Sequence, residues 1–258
     1  MSSTVAFYDL KKSFGNRDYQ ITDPYYREKI MNHALFQLLW TPGPSFTLVA
    51  NTKTWKIEMA AGDSKKLTGY SNNEILELQE NFVLKFPVEE HIPTNILTVK
   101  LAMDYLVSRP VHERERIFVV YFYQAKGANN NILTIQHQSI PLLFDENQIP
   151  YIFCNIYSDI SYLQPVNIPF SLIINRHINE TFHVYPNQSE LIRFTDLFSE
   201  REREIMRLII NGLDSNQIAQ SLIISPETVK THRKNILRKA GLSKTSQLVR
   251  YCLANGLL

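Results

Sequence analysis

Three runs of β-branched and aromatic residues constrain this chain more than any other feature. "IFVVYFYQ" begins at Ile117, "ILTIQHQSI" at Ile132 and "YIFCNIY" at Tyr151. Such side chains fit the pleated surface of a strand. The links between the runs, "KGANNN" and "FDENQ", have the composition of turns. Three strands joined so tightly form an antiparallel meander. One apolar face of a curved meander must then be buried under another layer. The preceding residues supply one. "FTLV" and "WKIEMA" predict two short strands joined by a polar turn. In "GDSKKLTGYSNNEILEL", Gly69 can end one short helix, and Ser71 with Glu74 forms a capping box that starts the next. "PTNILTVKLAMDYLVSRP" predicts a longer helix closed by Pro110. The expectation is an α+β domain over 45–163, an antiparallel sheet with helices on one side and room for a small cavity.

Around this core lie two weaker segments. "DPYYREKIMNHALFQLLW", within an N-terminal arm 1–44, predicts a helix capped by Asp23 and stopped before "TPGP". Residues 164–196 are Pro-punctuated, and "FSLIINRHINETFHVYP" predicts a hairpin inside a connector. From Leu197 the pattern is helical only. Ser199 with Glu202 opens "SEREREIMRLIING", which Gly212 ends. "SNQIAQSLI" is a two-turn helix, and "IIS" turns into "SPETVKTHRKNILRKAG". A short helix, a tight turn and a second, basic helix make a helix-turn-helix arrangement.

Charge singles out the second of these helices. The whole chain carries a formal +2, but from Asp196 onward ten Lys/Arg face six Asp/Glu, and the rest of the chain is net negative. Residues 225–240 hold five cations and one acid. A localised basic stripe points to phosphates or an anionic surface as partner. On a helical wheel Val229, Ile236 and Ala240 share one side. Lys230, Thr231, Lys234 and Arg238 share another, turned away by about 100° to 200°. Ser225 suits the cap, Pro226 the first turn and Glu227 the positive dipole end. Lys donates to guanine O6 and N7, and Thr reaches a base edge or a thymine methyl. Arg233 and Lys239 lie off that face and suit phosphates. A basic row is more often a solvated face. The helix and turn before this one, and its share of the excess charge, favour double-stranded DNA.

The residues from Leu197 to Leu258 resemble the LuxR-type helix-turn-helix domain nearly end to end. "REREIMRLI", "QIAQSLIIS", "TVKTHRKNI", "KAGLSK" and "NGLL" match in order and distance. The resemblance implies a four-helix domain over 197–258 that binds DNA as a homodimer, with dimer contacts from the last helix. It implies base-edge roles for Lys230, Thr231 and Lys234 and backbone roles for Thr228 and Lys239. Asp214-Ser215-Asn216-Gln217 departs from the family, which often has Ser-Asn-Lys-Glu there. Arg233 and Ala240 replace residues that are often apolar and Leu.

Residues 45–163 resemble a PAS domain. "NTKTWKIEMAAGDSKKLTGYSNNEI" looks like its opening, "FPVEEHIPTNI" like the Pro/acid motif before its long helix, and the meander like its end. PAS domains hold haem, flavin or a small molecule, or only a protein partner, and no cofactor is indicated here. Trp55, Tyr121, Tyr123, Phe153 and Tyr157 are candidate pocket residues, although aromatic strand residues are more often core. His91 and His112 stand where a haem ligand would be sought, although an exposed histidine beside acids is the commoner case. A phosphoacceptor receiver is excluded, because Asp9 stands alone near the start. "DPYY" with Trp40 and Trp55 leaves an acyl-homoserine-lactone sensor as an alternative, and a protein-interaction scaffold is another. No P-loop, "GxSxG" or "HExxH" occurs, so no enzyme is expected. Two distant cysteines, no signal-peptide pattern and no long apolar run point to a soluble cytosolic protein. The two resemblances together imply a bacterial transcription regulator.

Overall fold

The computed structural model describes residue 9 and residues 43–163, 168–187, 190–193 and 197–254. The helix expected over 23–40, with Trp40, and the closing "NGLL" lie outside the described residues.

An antiparallel sheet of eight strands runs through the larger half, in the order β2-β1-β5-β4-β3-β6-β7-β8. The strands are β1 (Ser45–Asn51), β2 (Lys56–Gly62), β3 (Ile117–Lys126), β4 (Ile132–Phe144), β5 (Pro150–Asp159), β6 (Phe170–Asn175), β7 (Glu180–Val184) and β8 (Ile192–Arg193). Between β2 and β3 come α1 (Ser64–Thr68), α2 (Asn72–Leu78), α3 (Glu80–Lys85), a 3₁₀ turn (Glu89–His91), α4 (Ile92–Ser108) and α5 (Val111–Arg114).

Local chemistry explains the breaks. Gly69 closes α1 in the left-handed region (φ 84°), where a side chain would be strained. At the next turn, Ser71 accepts the Glu74 N–H while the Glu74 carboxylate accepts the Ser71 N–H, the reciprocal pairing of a capping box. Arg109, extended ahead of Pro110, ends α4.

The sequence pattern of β3 is nearly continuous in apolar residues because both faces are covered. Val119, Tyr121 and Tyr123 point to the helices, joining Leu67, Ile75, Phe82, Ala102 and Leu106 in the main core. Val120 and Phe122 point the other way, against Ile160, Leu163 and Ile168. The crossing from β5 to β6 therefore supplies the second cover.

The expected hairpin at 170–184 is present, and it belongs to the sheet. β6 pairs with β3 from Ile117↔Asn175 to Phe122↔Phe170. Ile173 and Phe182 enter the main core, so the hairpin continues the domain that the sequence reading closed at residue 163. A polar network fastens it to α4. Glu113 accepts two bonds from the Arg109 guanidinium, at 2.8 and 3.0 Å, and one from Asn175 Nδ2 at 2.9 Å. The Tyr105 hydroxyl donates to Glu180 at 3.1 Å.

The C-terminal part is helical: α6 (Glu200–Ile210), α7 (Ser215–Leu222), α8 (Pro226–Lys239) and α9 (Thr245–Ala254). They enclose Phe198, Ile205, Met206, Ile218, Val229, Ile236, Leu248 and Tyr251. The two halves meet where the Tyr185 hydroxyl, beyond β7, lies 3.3 Å from that of Tyr251 on α9. The same Tyr185 hydroxyl is 3.2 Å from Nδ1 of His183.

Candidate nucleic-acid interface and cavity

Helix α8 is anchored on one side and open on the other. Val229 and Ile236 are fully buried, and Ala240 nearly so. The Ser225 hydroxyl caps its start by accepting the Thr228 N–H at 3.1 Å, and Pro226 follows at the first helical position. Short α7 holds the approach. Asp214 accepts the N–H groups of Asn216 and Gln217, and the Gln217 side chain accepts that of Asp214. The Asp214–Gln217 departure from the family pattern is thus a third capping box, after those at Ser71 and Ser199, which the sequence reading missed although its spacing was present.

Thr228, Lys230, Thr231, Lys234 and Arg238 are all exposed on α8. The side chains of Lys234 and Arg238 have no hydrogen bond or ion pair among the described residues. Lys230 lies 3.3 Å from Glu227, both widely exposed, so solvent screens the pair. The Thr231 hydroxyl donates back to the Glu227 carbonyl at 3.0 Å, and that of Thr228 meets Ser225 at 2.9 Å. Two more cations of the predicted set hold polar partners within the protein. Arg233 donates to Ser215 Oγ at 2.8 Å. Lys239 donates to Glu202 at 2.6 Å, a carboxylate that also accepts the Ser199 N–H. Glu202 is held below the usual carboxylate range: burial raises its pKa, and the Lys239 and Ser199 bonds outweigh that.

The second candidate site is a cavity of about 210 Å³ between the sheet and helices α3 and α4. Trp55, Phe153 and Tyr157 line it. Tyr121, Tyr123 and Tyr157 line an adjoining space of about 100 Å³. The five aromatic candidates therefore fall around one pair of spaces, with Tyr157 common to both. His137 also lines both, and the sequence reading did not single it out. The signal was there in the alternation of β4. Leu133 and Ile135 point to the core, and the same phase then turns polar at His137 and Ser139.

The rings of Tyr121 and Tyr157 stack on His137, with centroids at 4.8 and 4.2 Å. Its Nε2 lies 2.9 Å from Asn155 Oδ1. Burial pushes its pKa down to about 4, against a smaller rise from the Asn155 bond, so the ring is neutral at pH 7. His91 is a structural residue: its Nδ1 accepts the Gln124 N–H at 2.9 Å. His112 packs edge-on against His177 at 5.0 Å. Among the described residues no group of three or more His, Cys, Asp or Glu is placed to hold a metal. No helix among them is long and apolar enough to cross a membrane.

Residues 196–252 match the family described as bacterial regulatory proteins, luxR family. The transcriptional regulatory protein MctR of Rhizobium johnstonii is 41% identical over 64 residues, 25% of this chain and 30% of that protein. The oxygen regulatory protein NreC of Staphylococcus carnosus is 30% identical over 103 residues, 40% of this chain and 45% of that protein. The chain thus spans less than half the length of either relative. Among solved structures, the Vibrio cholerae VqmA dimer is 16% identical and aligns over 89% of this chain and 88% of its own, at a TM-score of 0.33, too loose an overlay to build on. The likeness to the luxR family of bacterial regulatory proteins accordingly rests on the helices α6 to α9, the part of the chain that holds the basic face.

Proposed function

We propose that this chain is a transcription regulator that binds promoter DNA as a homodimer, with a PAS-like domain as its sensory or partner-binding part. The observation that carries the reading is the geometry of α8. Lys230, Thr231, Lys234 and Arg238 stand in solvent on a helix whose far side is locked by Val229 and Ile236. A helix so anchored can present a fixed set of side chains to the major groove. Lys230, Thr231 and Lys234 read base edges. Thr228, Arg233, Arg238 and Lys239 serve the phosphate backbone, Arg233 and Lys239 after exchanging their present partners. The order of elements supports the PAS-like reading: two strands, short helices, a long helix and a three-stranded meander.

The test is promoter selection followed by binding of the full chain across a salt series. Lys230→Ala/Lys234→Ala is expected to weaken specific binding by about 2–5 kcal/mol, while non-specific binding falls less. The Arg238→Ala variant should weaken all sequences alike and reduce the salt slope by about one. Unchanged specific affinity in the double variant would remove the base-reading assignment.

A further inference from the structure

We propose that the 210 Å³ cavity takes an uncharged small organic molecule that donates a hydrogen bond to Nδ1 of His137. The inference deepens the sensor reading given above by assigning its ligand class. The amide Nδ2 of Asn155 donates to the Phe153 carbonyl at 3.3 Å, which turns its Oδ1 toward His137. That oxygen only accepts, so Nε2 of His137, 2.9 Å away, must carry the proton. A neutral imidazole has one such proton, and Nδ1 is left with its lone pair. No hydrogen bond to that nitrogen exists among the described residues. The ring cannot turn to find one, because Tyr121 and Tyr157 stack against it. His137 lines both spaces, so an acceptor that the protein leaves unused stands at their wall.

The surroundings select the rest of the ligand. Leu48, Val99, Ala102 and Met103 make the walls apolar. Ser139, the residue opposite Asn155 across the ladder, adds a hydroxyl with no hydrogen bond among the described residues. The charged lining residues are Lys56 and Glu80, one of each sign. With His137 neutral as well, the lining offers no net counter-charge to an ion, and burying an unpaired ion is costly. The volume equals that of roughly seven waters, which suits one or two rings or a short chain, not a peptide or a nucleotide.

Phenol, anisole and benzoate separate the alternatives: all carry the same ring, and they are respectively a donor, a non-donor and an anion. Binding to the full chain would be followed by calorimetry, and the His137 ring nitrogens by ¹⁵N NMR. Phenol should bind about tenfold tighter than anisole and shift the Nδ1 resonance, with benzoate weakest. His137→Phe should erase the preference for phenol. The wild-type comparison needs no variant to fold. Equal binding of phenol and anisole, preferred binding of benzoate, no phenol binding up to about 10 mM, or a proton found on Nδ1 in the free protein would each overturn the assignment. DNA binding measured on the same samples keeps the two readings apart. A chain that discriminates phenol and ignores DNA fails as a regulator and keeps this site, and the reverse result removes only the site.

Discussion

His137 on β4 and Lys234 on α8 are each two residues from a fully buried isoleucine, Ile135 and Ile236. The same offset sends them to opposite places. In a strand, residues two apart share a face, so His137 follows Ile135 into the interior. In a helix they are separated by about 200°, so Lys234 is turned away from the core that Ile236 enters. One half of the molecule thereby collects its chemistry around an internal space, and the other displays it to solvent. An internal polar group is fixed by its neighbours and selects by hydrogen bonding. A displayed cation is free to meet a larger partner and is governed by ionic strength.

The anchors of the helical half can be weakened one at a time. Ile236→Ala is expected to cost about 2–5 kcal/mol, because it leaves a cavity beneath α8. Thermal unfolding followed by circular dichroism and near-ultraviolet signals should then separate loss of the C-terminal helices from loss of the sheet. A single unchanged transition would show that the helix is held elsewhere. Glu202→Gln should cost about 1–2 kcal/mol, since it removes the partner of Lys239 and weakens the cap at Ser199. Urea unfolding measures it, and a loss confined to the C-terminal transition is the expected result.

Acid should act on the internal side. Burial lowers His137 to about 4 and His183 to about 3. The unfolded forms of both take up protons near pH 6.5, before the folded forms do. Their contribution to stability is therefore complete above about pH 6.5 and lost as pH falls toward 4 and 3, at up to about 1.4 kcal/mol per pH unit for each. Urea midpoints between pH 7 and pH 4 should show this slope, and His137→Phe should reduce it. Equal slopes in both proteins would contradict the buried, neutral assignment of His137.

The smallest effect belongs to the turn between α7 and α8. Ile223 is 92% exposed and adopts φ 54°, a left-handed conformation that a β-branched residue disfavours. Ile223→Gly should stabilise the helical domain by up to about 1 kcal/mol, read as a raised midpoint in urea.

Much of the helical half was legible in the sequence because its signals are local. Caps at Ser199 and Ser225, the stop at Gly212 and the two faces of α8 each depend on residues within a few positions. The Asp214 cap was missed because its residues were compared with a family pattern and not with the capping rule. In the sheet half, the meander and the capping box at Ser71 were readable for the same reason. The pairing of β6 with β3 was not, since Ile173 and Val119 are brought together by a long crossing that no local pattern encodes. The aromatic set around the cavity was picked out by residue type. His137 escaped because the identity of one in-facing strand residue acquires meaning only once Asn155 lies beside it.

Trp55 turns the cavity into something that reports on itself. It stands in the β1–β2 turn with φ 56° and lines the space that His137 overlooks. The chain has two tryptophans, and the other is Trp40. A Trp40→Phe version would emit from a single indole beside the site. Entry of a molecule would then be visible as a change in colour or brightness of the protein's own fluorescence, without any attached dye.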